Sequence, residues 1–261
     1  MSEIEWRKLR ADQLRDLARQ DAMVIVPVGS LEQHGPHMPV EVDSQLGEQV
    51  ANRTARLIDA RGHKVVVLPM LWTGISEHHM SFGGTITLDL PIFSAVIEGI
   101  CRSLVRHGFR RIVLLNAHGG NDNALRSLTD ELTPKLGVPI VQFAYWDASA
   151  DVIGAILQMQ PQVQHACEAE TSMMMAVRPE LVVGGRIPLP NRMPDAPEIV
   201  GAGVYRWRTL GAMSASGVVG HPEAATAEKG NRLFDGISKA LADKLCNAEL
   251  WQMQWQSERI T

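Results

Sequence analysis

Four short runs in this chain are apolar at consecutive rather than alternate positions: Met23-Val-Ile-Val-Pro-Val28, Lys64-Val-Val-Val-Leu-Pro69, Arg111-Ile-Val-Leu-Leu115 and the weaker Pro139-Ile-Val-Gln-Phe143. A strand with water on one face alternates. An unbroken β-branched run instead suits a strand covered on both faces, as in a parallel sheet between helices. Helical spacing fills the intervals at about 44–58, 91–105, 122–136 and 224–245. Pro91 fits a first helical turn, and Gly108 and Gly137 follow helix ends, where a left-handed residue is needed. Strand and helix alternating at this spacing predict an α/β fold. The expected form is a three-layer α/β/α sandwich with a mainly parallel central sheet, as a single domain over residues 1–261. The segment 184–220 breaks the pattern. It is rich in Gly, Pro and Ser, with Pro188, Pro190, Pro194 and Pro197 close together. It reads as a surface excursion that serves as a lid or a subunit contact.

Open parallel sheets bind ligands at the carboxyl ends of their strands, so the polar residues there carry the functional information. Gly29-Ser-Leu-Glu-Gln-His-Gly-Pro-His37 and Glu41-Val-Asp43 follow the first run, and Glu77-His-His79 follows the second. Asn116-Ala-His-Gly-Gly-Asn121 follows the third, and His165-Ala-Cys-Glu-Ala-Glu170 opens a later apolar helix. His34, His37, His78, His79, His118 and His165 are six of the chain's nine histidines. Core histidines would scatter, so this clustering predicts one shared mouth.

Composition narrows the partners. Lys+Arg 25 against Asp+Glu 29 gives a net charge of −4 without a basic run, which points away from nucleic acid and anionic membranes. The first ten residues lack an apolar signal stretch, and no segment approaches the ~20 apolar residues of a membrane span. A soluble cytoplasmic protein is expected. Cys101, Cys167 and Cys246 are too few and too scattered for a disulfide framework or a paired-thiolate zinc site.

Glu32 and His34 are two residues apart, which in extended backbone places both side chains on one side. Asp43 either caps the helix it begins or binds a cation. Carboxylate and imidazole donors together suit zinc, manganese or ferrous iron. The His118-Gly-Gly stretch also resembles an oxyanion-hole loop of serine hydrolases. That fold needs a Gly-x-Ser-x-Gly elbow, and Gly74-Ile-Ser76 lacks the closing glycine. His-Glu-x-x-His and Gly-x-Gly-x-x-Gly are also missing. Cys167 reads as a small buried filler, and His63, His107 and His221 as ordinary surface or structural histidines.

Four ordered motifs carry a resemblance. Ser30-Leu-Glu-Gln-His-Gly-Pro-His37 with Asp43, Asn116-Ala-His-Gly-Gly-Asn121, His165-Ala-x-x-x-Glu-Thr-Ser172 and Gly220-His-Pro-x-x-Ala-Thr-Ala-Glu-Lys-Gly230 resemble the creatininase family of amidohydrolases. The resemblance implies two divalent metal ions (Zn, Mn or Fe) and hydrolysis of a C–N bond, commonly in a hexamer. It implies that Glu32 and His118 bind one metal, that His34 binds the other, and that Asp43 bridges them. In creatininase itself, the second residue after the motif histidine is a metal-binding Glu. Here that position is Gly120, and Glu170 is the expected replacement.

The resemblance further implies that His165 is a proton donor near the substrate, with Glu168 or Glu170 managing a proton. Gly119 replaces an aromatic residue of creatininase, which makes creatinine a poor substrate. Gly119, Gly120, His78 and Trp146 are the expected substrate-binding residues. A small cyclic amide or a formamide is the expected small-molecule substrate, with a homo-oligomer as the assembly. The alternative is a metal-stabilised binding or scaffold protein that has lost catalysis.

Overall fold

The computed structural model describes residues 2–190 and 206–253. Four strands, β1 (Met23–Val28), β2 (Val65–Val67), β3 (Arg111–Asn116) and β4 (Ile140–Ala144), form one sheet in the order β2-β1-β3-β4. Every pairing is parallel, with Met23 beside both Val65 and Arg111, and Ile112 beside Ile140. All six residues of β1 are buried, as a strand covered on both faces requires.

The side chains of β1 divide between two cores. Met23 and Ile25 face one layer, built from α2 (Val42–Ala60), α7 (Glu168–Val177) and α8 (Ala227–Leu245), with α5 (Tyr145–Ala148) and α6 (Ala150–Ile156) beside them. Val24, Val26 and Val28 face the other, built from α3 (Leu90–Arg106) and α4 (Asp122–Leu136) with the apolar side of α1 (Ala11–Arg19). This is the expected three-layer sandwich.

Local chemistry sets the helix boundaries. The Asp89 carboxylate accepts from Ile92 N at 2.8 Å to start α3, with Pro91 in its first turn. Gly137, at φ 66°, ends α4 in a left-handed cap. The last helix begins after Thr226, whose hydroxyl accepts from Lys229 N at 3.2 Å. That start lies beyond the expected 224, because residues Pro222–Ala224 form a separate 3₁₀ turn. Helix α2 starts at Val42 rather than at 44, which puts Asp43 inside its first turn. Among the described residues, no helix is long and apolar enough to cross a membrane. Pro194 and Pro197 of the proline-rich segment lie outside the described residues. Leu210 and Met213, further along the same segment, line a cavity that also holds His118 and His165.

Candidate metal centre

The connection leaving β1 runs to β2 on one side, while the one leaving β3 runs to β4 on the other. The carboxyl ends of these adjacent strands therefore diverge, and the loops between them open a crevice. Glu32 and His34 follow β1, and His118 follows β3. Gly35, at φ 68°, turns the chain just after His34, and a Cβ there would lie 2.4 Å from Val218 Cγ2. Asp43 enters from α2, Glu170 from α7, and His79 from a 3₁₀ turn at Glu77–Phe82.

Asp43 holds the middle of the cluster. Its Oδ1 lies 3.1 Å from His34 Nε2, and its Oδ2 lies 3.1 Å from His118 Nδ1. Glu32 Oε2 is 3.0 Å from the same His118 nitrogen, and Glu32 Oε1 is 3.2 Å from His79 Nε2. Among the described residues three donor sets arise, each with its atoms within 4.8 Å of one another: Glu32, Asp43 and His118; His34, Asp43 and Glu170; and Glu32, His34 and His165. The first two share Asp43. Asp43 is the second residue of α2, with Glu41 at the N-cap, so the capping alternative for Asp43 loses its support.

Backbone carbonyls orient the rings. His34 Nδ1 lies 3.1 Å from the Glu32 carbonyl oxygen, and His118 Nε2 lies 3.0 Å from that of Ile75. A carbonyl only accepts, so these nitrogens carry the donating N–H, and the opposite nitrogens face the carboxylates. Among the described residues, His34 Nε2 and Asp43 Oδ2 are both buried and have no hydrogen-bond partner, despite the short approaches around them. Leaving a buried polar atom unpaired costs roughly 1–3 kcal/mol. A cation among these atoms would satisfy both, so the donor set fits a divalent metal on the geometry of this chain alone.

Without a cation, protons balance the charge. Burial lowers the pKa of His34, but Asp43 beside it outweighs that, and the pKa is raised to about 9. His118 moves well above its usual value for the same reason, with Glu32 and Asp43 overcoming burial. Burial works to raise Glu32 and Asp43, yet His118 for Glu32 and His34 for Asp43 bring each to about 2. Glu170, raised to about 7, is dominated by burial. His165 is lowered to about 3 by burial and by the His34 charge, so its ring is neutral near pH 7.

A cavity of about 330 Å³ opens over these groups, within the range of small-molecule sites. His78, Gly119, Gly120, Trp146, His165 and Glu170 line it together with Glu32, Asp43 and His118. His165 donates Nε2–H to the Gln33 carbonyl at 2.9 Å, which turns its Nδ1 toward Glu32 at 3.7 Å.

Glu168 corrects the sequence reading. Expected to handle a proton, it is instead fully buried behind the cavity, with Oε1 2.6 Å from Lys229 Nζ. It also accepts from Gln158 N and Met159 N. The helical repeat separates it from Glu170 by about 200°, so the two acids point to different sides of α7. Cys167 is buried, and burial raises its thiol to about 12, in keeping with a filler.

Gln33 is the site residue that the sequence reading missed, and His79, expected only as one of the histidines at the mouth, sits deeper than that reading implied. His79 is buried against Glu32, and its Nδ1 lies 3.1 Å from Gln33 Nε2. The Gln33 amide also donates to the Gly217 carbonyl at 3.0 Å, tying the late segment to the centre. Two adjacent histidines after a strand were the available signal for His79. Gln33 offered none beyond standing between Glu32 and His34. Gly120 has a steric explanation: a Cβ there would lie 2.1 Å from the Ile75 carbonyl oxygen and 2.4 Å from His118 Nε2. No side chain fits at that position in this backbone, so the carboxylate beside His34 has to come from another segment.

A family model described as creatinine amidohydrolase matches residues 7–245, and the chain belongs to this creatininase family. It is 31% identical over 264 residues to the creatinine amidohydrolase of Pseudomonas putida, covering 94% of this chain and 95% of that protein. It is also 31% identical over 253 residues to the mycofactocin precursor peptide peptidase of Mycolicibacterium smegmatis, covering 94% and 90%. Among solved structures, a mutant creatininase of the two-zinc type matches with a TM-score of 0.80 at 27% identity, covering 94% of this chain and 98% of that one. A manganese creatininase matches with a TM-score of 0.79 at the same identity and coverage.

Proposed function

We propose that this protein is a metal-dependent amidohydrolase that cleaves a C–N bond of a small amide, cyclic or formyl. The observation that carries this reading is Asp43, whose two oxygens each approach a different histidine at 3.1 Å. Glu32, Asp43 and His118 would hold one divalent cation; His34, Asp43 and Glu170 would hold the second. The named relatives act on creatinine and on a precursor peptide, which supports C–N hydrolysis as the shared chemistry. Glu170, within 4.8 Å of His34 and Asp43, supplies the acid that Gly120 cannot, which favours an enzyme over a lapsed scaffold.

Bound there, divalent cations would acidify water toward a pKa of about 7 and polarise an amide carbonyl. The protein groups do the rest. Neutral His165 takes up a proton at Nδ1 during attack and returns it to the departing nitrogen. Its bond to the Gln33 carbonyl holds that nitrogen toward the cavity. Gly119, Gly120 and His78 bound one wall, and Trp146 offers a flat apolar face. Creatinine is expected to be a poor substrate, because Gly119 cannot stack on a planar ring, a contact worth about 0.5–1.5 kcal/mol beyond area burial. The exposed apolar side chains Trp72, Ile86, Leu90 and Ile92 favour a homo-oligomer, with this region as the surface covered.

Chelated protein is expected to be inactive toward lactams, formamides and cyclic ureas, with Mn²⁺, Zn²⁺ or Fe²⁺ restoring turnover. Full activity at a verified negligible metal content would sink the reading.

Stability of the chelated protein should fall as pH rises. A raised histidine pKa contributes stability below about 6.5, and that stability is lost as pH passes the folded value of about 9 for His34. Glu170 works in the same direction between 4.5 and about 7, because its folded form holds a proton that the unfolded form has released. Melting temperatures between pH 6 and 9.5 should therefore decline in the chelated protein, while excess divalent cation flattens the decline by replacing those protons. Parallel profiles with and without metal would count against a metal centre.

A further inference from the structure

A second cavity, of about 380 Å³, lies beside the first and shares His78, Gly119, Gly120 and Met213 with it, so a molecule seated at the metal cluster has the second cavity as its immediate neighbour. Arg206, Trp207 and Arg208 line this outer cavity. Charge changes sign from one cavity to the other. Glu32, Asp43 and Glu170 line the first, which has no Lys or Arg among the described residues. The outer cavity carries two guanidinium groups and one carboxylate, that of Glu77. Among the described residues neither Arg206 nor Arg208 forms an ion pair. Trp207 leaves 53% of its surface exposed, a large apolar area to present to water.

Two guanidinium groups flanking an exposed indole, in a chain of net charge −4, are the elements of a receptor for an organic anion. Guanidinium presents paired N–H donors that match the two oxygens of a carboxylate. The indole supplies an apolar face for the carbon skeleton that bears it. Glu77 on the same wall disfavours a dianion such as phosphate more than a singly charged carboxylate. We propose that the outer cavity is a carboxylate-recognition subsite, and that the substrate is an amide carrying a free carboxylate beyond its scissile C–N bond. The amidohydrolase reading is needed for the bond that is cut, but not for the subsite.

The test compares acids with neutral analogues. N-formyl amino acids, N-formyl dipeptides and lactam carboxylic acids would each be paired with the alcohol that replaces the carboxylate, using the metal-loaded protein and its Arg206→Gln and Arg208→Gln variants. Wild type should favour at least one class of acid through KM by about tenfold or more, the size expected of charge-assisted hydrogen bonds. Each variant should lose that preference while its kinetics on the alcohols stay unchanged. Equilibrium titration of the same compounds reads the subsite independently of turnover. If nothing is hydrolysed but acids still bind better than alcohols in an arginine-dependent way, the amidohydrolase reading falls and the subsite stands. If no acid in the series binds or reacts better than its alcohol, or if both variants keep the preference, the subsite is overturned.

Discussion

Asp43→Asn is expected to reduce kcat/KM by about a thousandfold or more and to bring the metal content below one ion per chain. Asp43 is the only residue common to the two carboxylate-rich donor sets, so losing its charge weakens both positions at once. Metal ions supply several kcal/mol of charge stabilisation in hydrolysis, and about 4 kcal/mol corresponds to a thousandfold in rate. Asn preserves shape, so no cavity opens and the fold should persist. Glu170→Gln gives the contrast, because Glu170 belongs to one of these two sets. That variant should keep one ion and lose the other, with the fold intact. If Asp43 merely complemented the positive end of α2, its charge would be worth about 0.3–1 kcal/mol. Asp43→Asn would then show two ions and near-normal turnover. Metal analysis alongside a melting curve separates these outcomes.

Lys229→Met is expected to lower the melting temperature by about 6–20 °C, the equivalent of roughly 3–5 kcal/mol in a chain of this size. Lys229 Nζ lies 2.6 Å from Glu168 Oε1 and donates to the Ala224 carbonyl at 2.6 Å. Glu168 is fully buried, so removing its partner strands a charge that water cannot reach. The same carboxylate receives the backbone N–H groups of Gln158 and Met159, which anchor the approach to His165. Combining Glu168→Gln with Lys229→Met should recover a substantial part of the loss, because Gln still accepts from that backbone without carrying charge. Equal losses in the single and double variants would show that the pair contributes little beyond packing.

The two variants probe residues of unequal legibility in the sequence. Asp43 could be read because it stands in a short ordered motif with Glu32 and His34, whose two-residue spacing puts them on one side of extended backbone. The resemblance singled out Glu170 for the metal, but as proton carriers Glu168 and Glu170 could not be ranked, since both lie at the start of the same apolar helix and carry the same charge. Their roles separate only when α8 delivers Lys229 to one side of α7 and the cluster occupies the other. His79 had a visible signal in its doubled histidines, but its burial against Glu32 depends on a 3₁₀ turn that no periodicity announces. Gln33 is an ordinary amide until His79, His165 and the Gly217 carbonyl converge on it.

By itself, the sequence determined the parallel sheet, the order of strands and helices, and the cluster of carboxylates and imidazoles at one mouth. These follow from local causes: continuous apolar runs demand cover on both faces, and motif residues stay near the strand ends that carry them. Only the tertiary structure decided that Glu168 turns away from the cluster toward Lys229, that Gly120 is pressed against the Ile75 carbonyl, and that Arg206 and Arg208 border the cleft. Each of these depends on segments far apart in the chain meeting at a fixed distance. Such distances are set by packing across the two cores, which no window of the sequence contains.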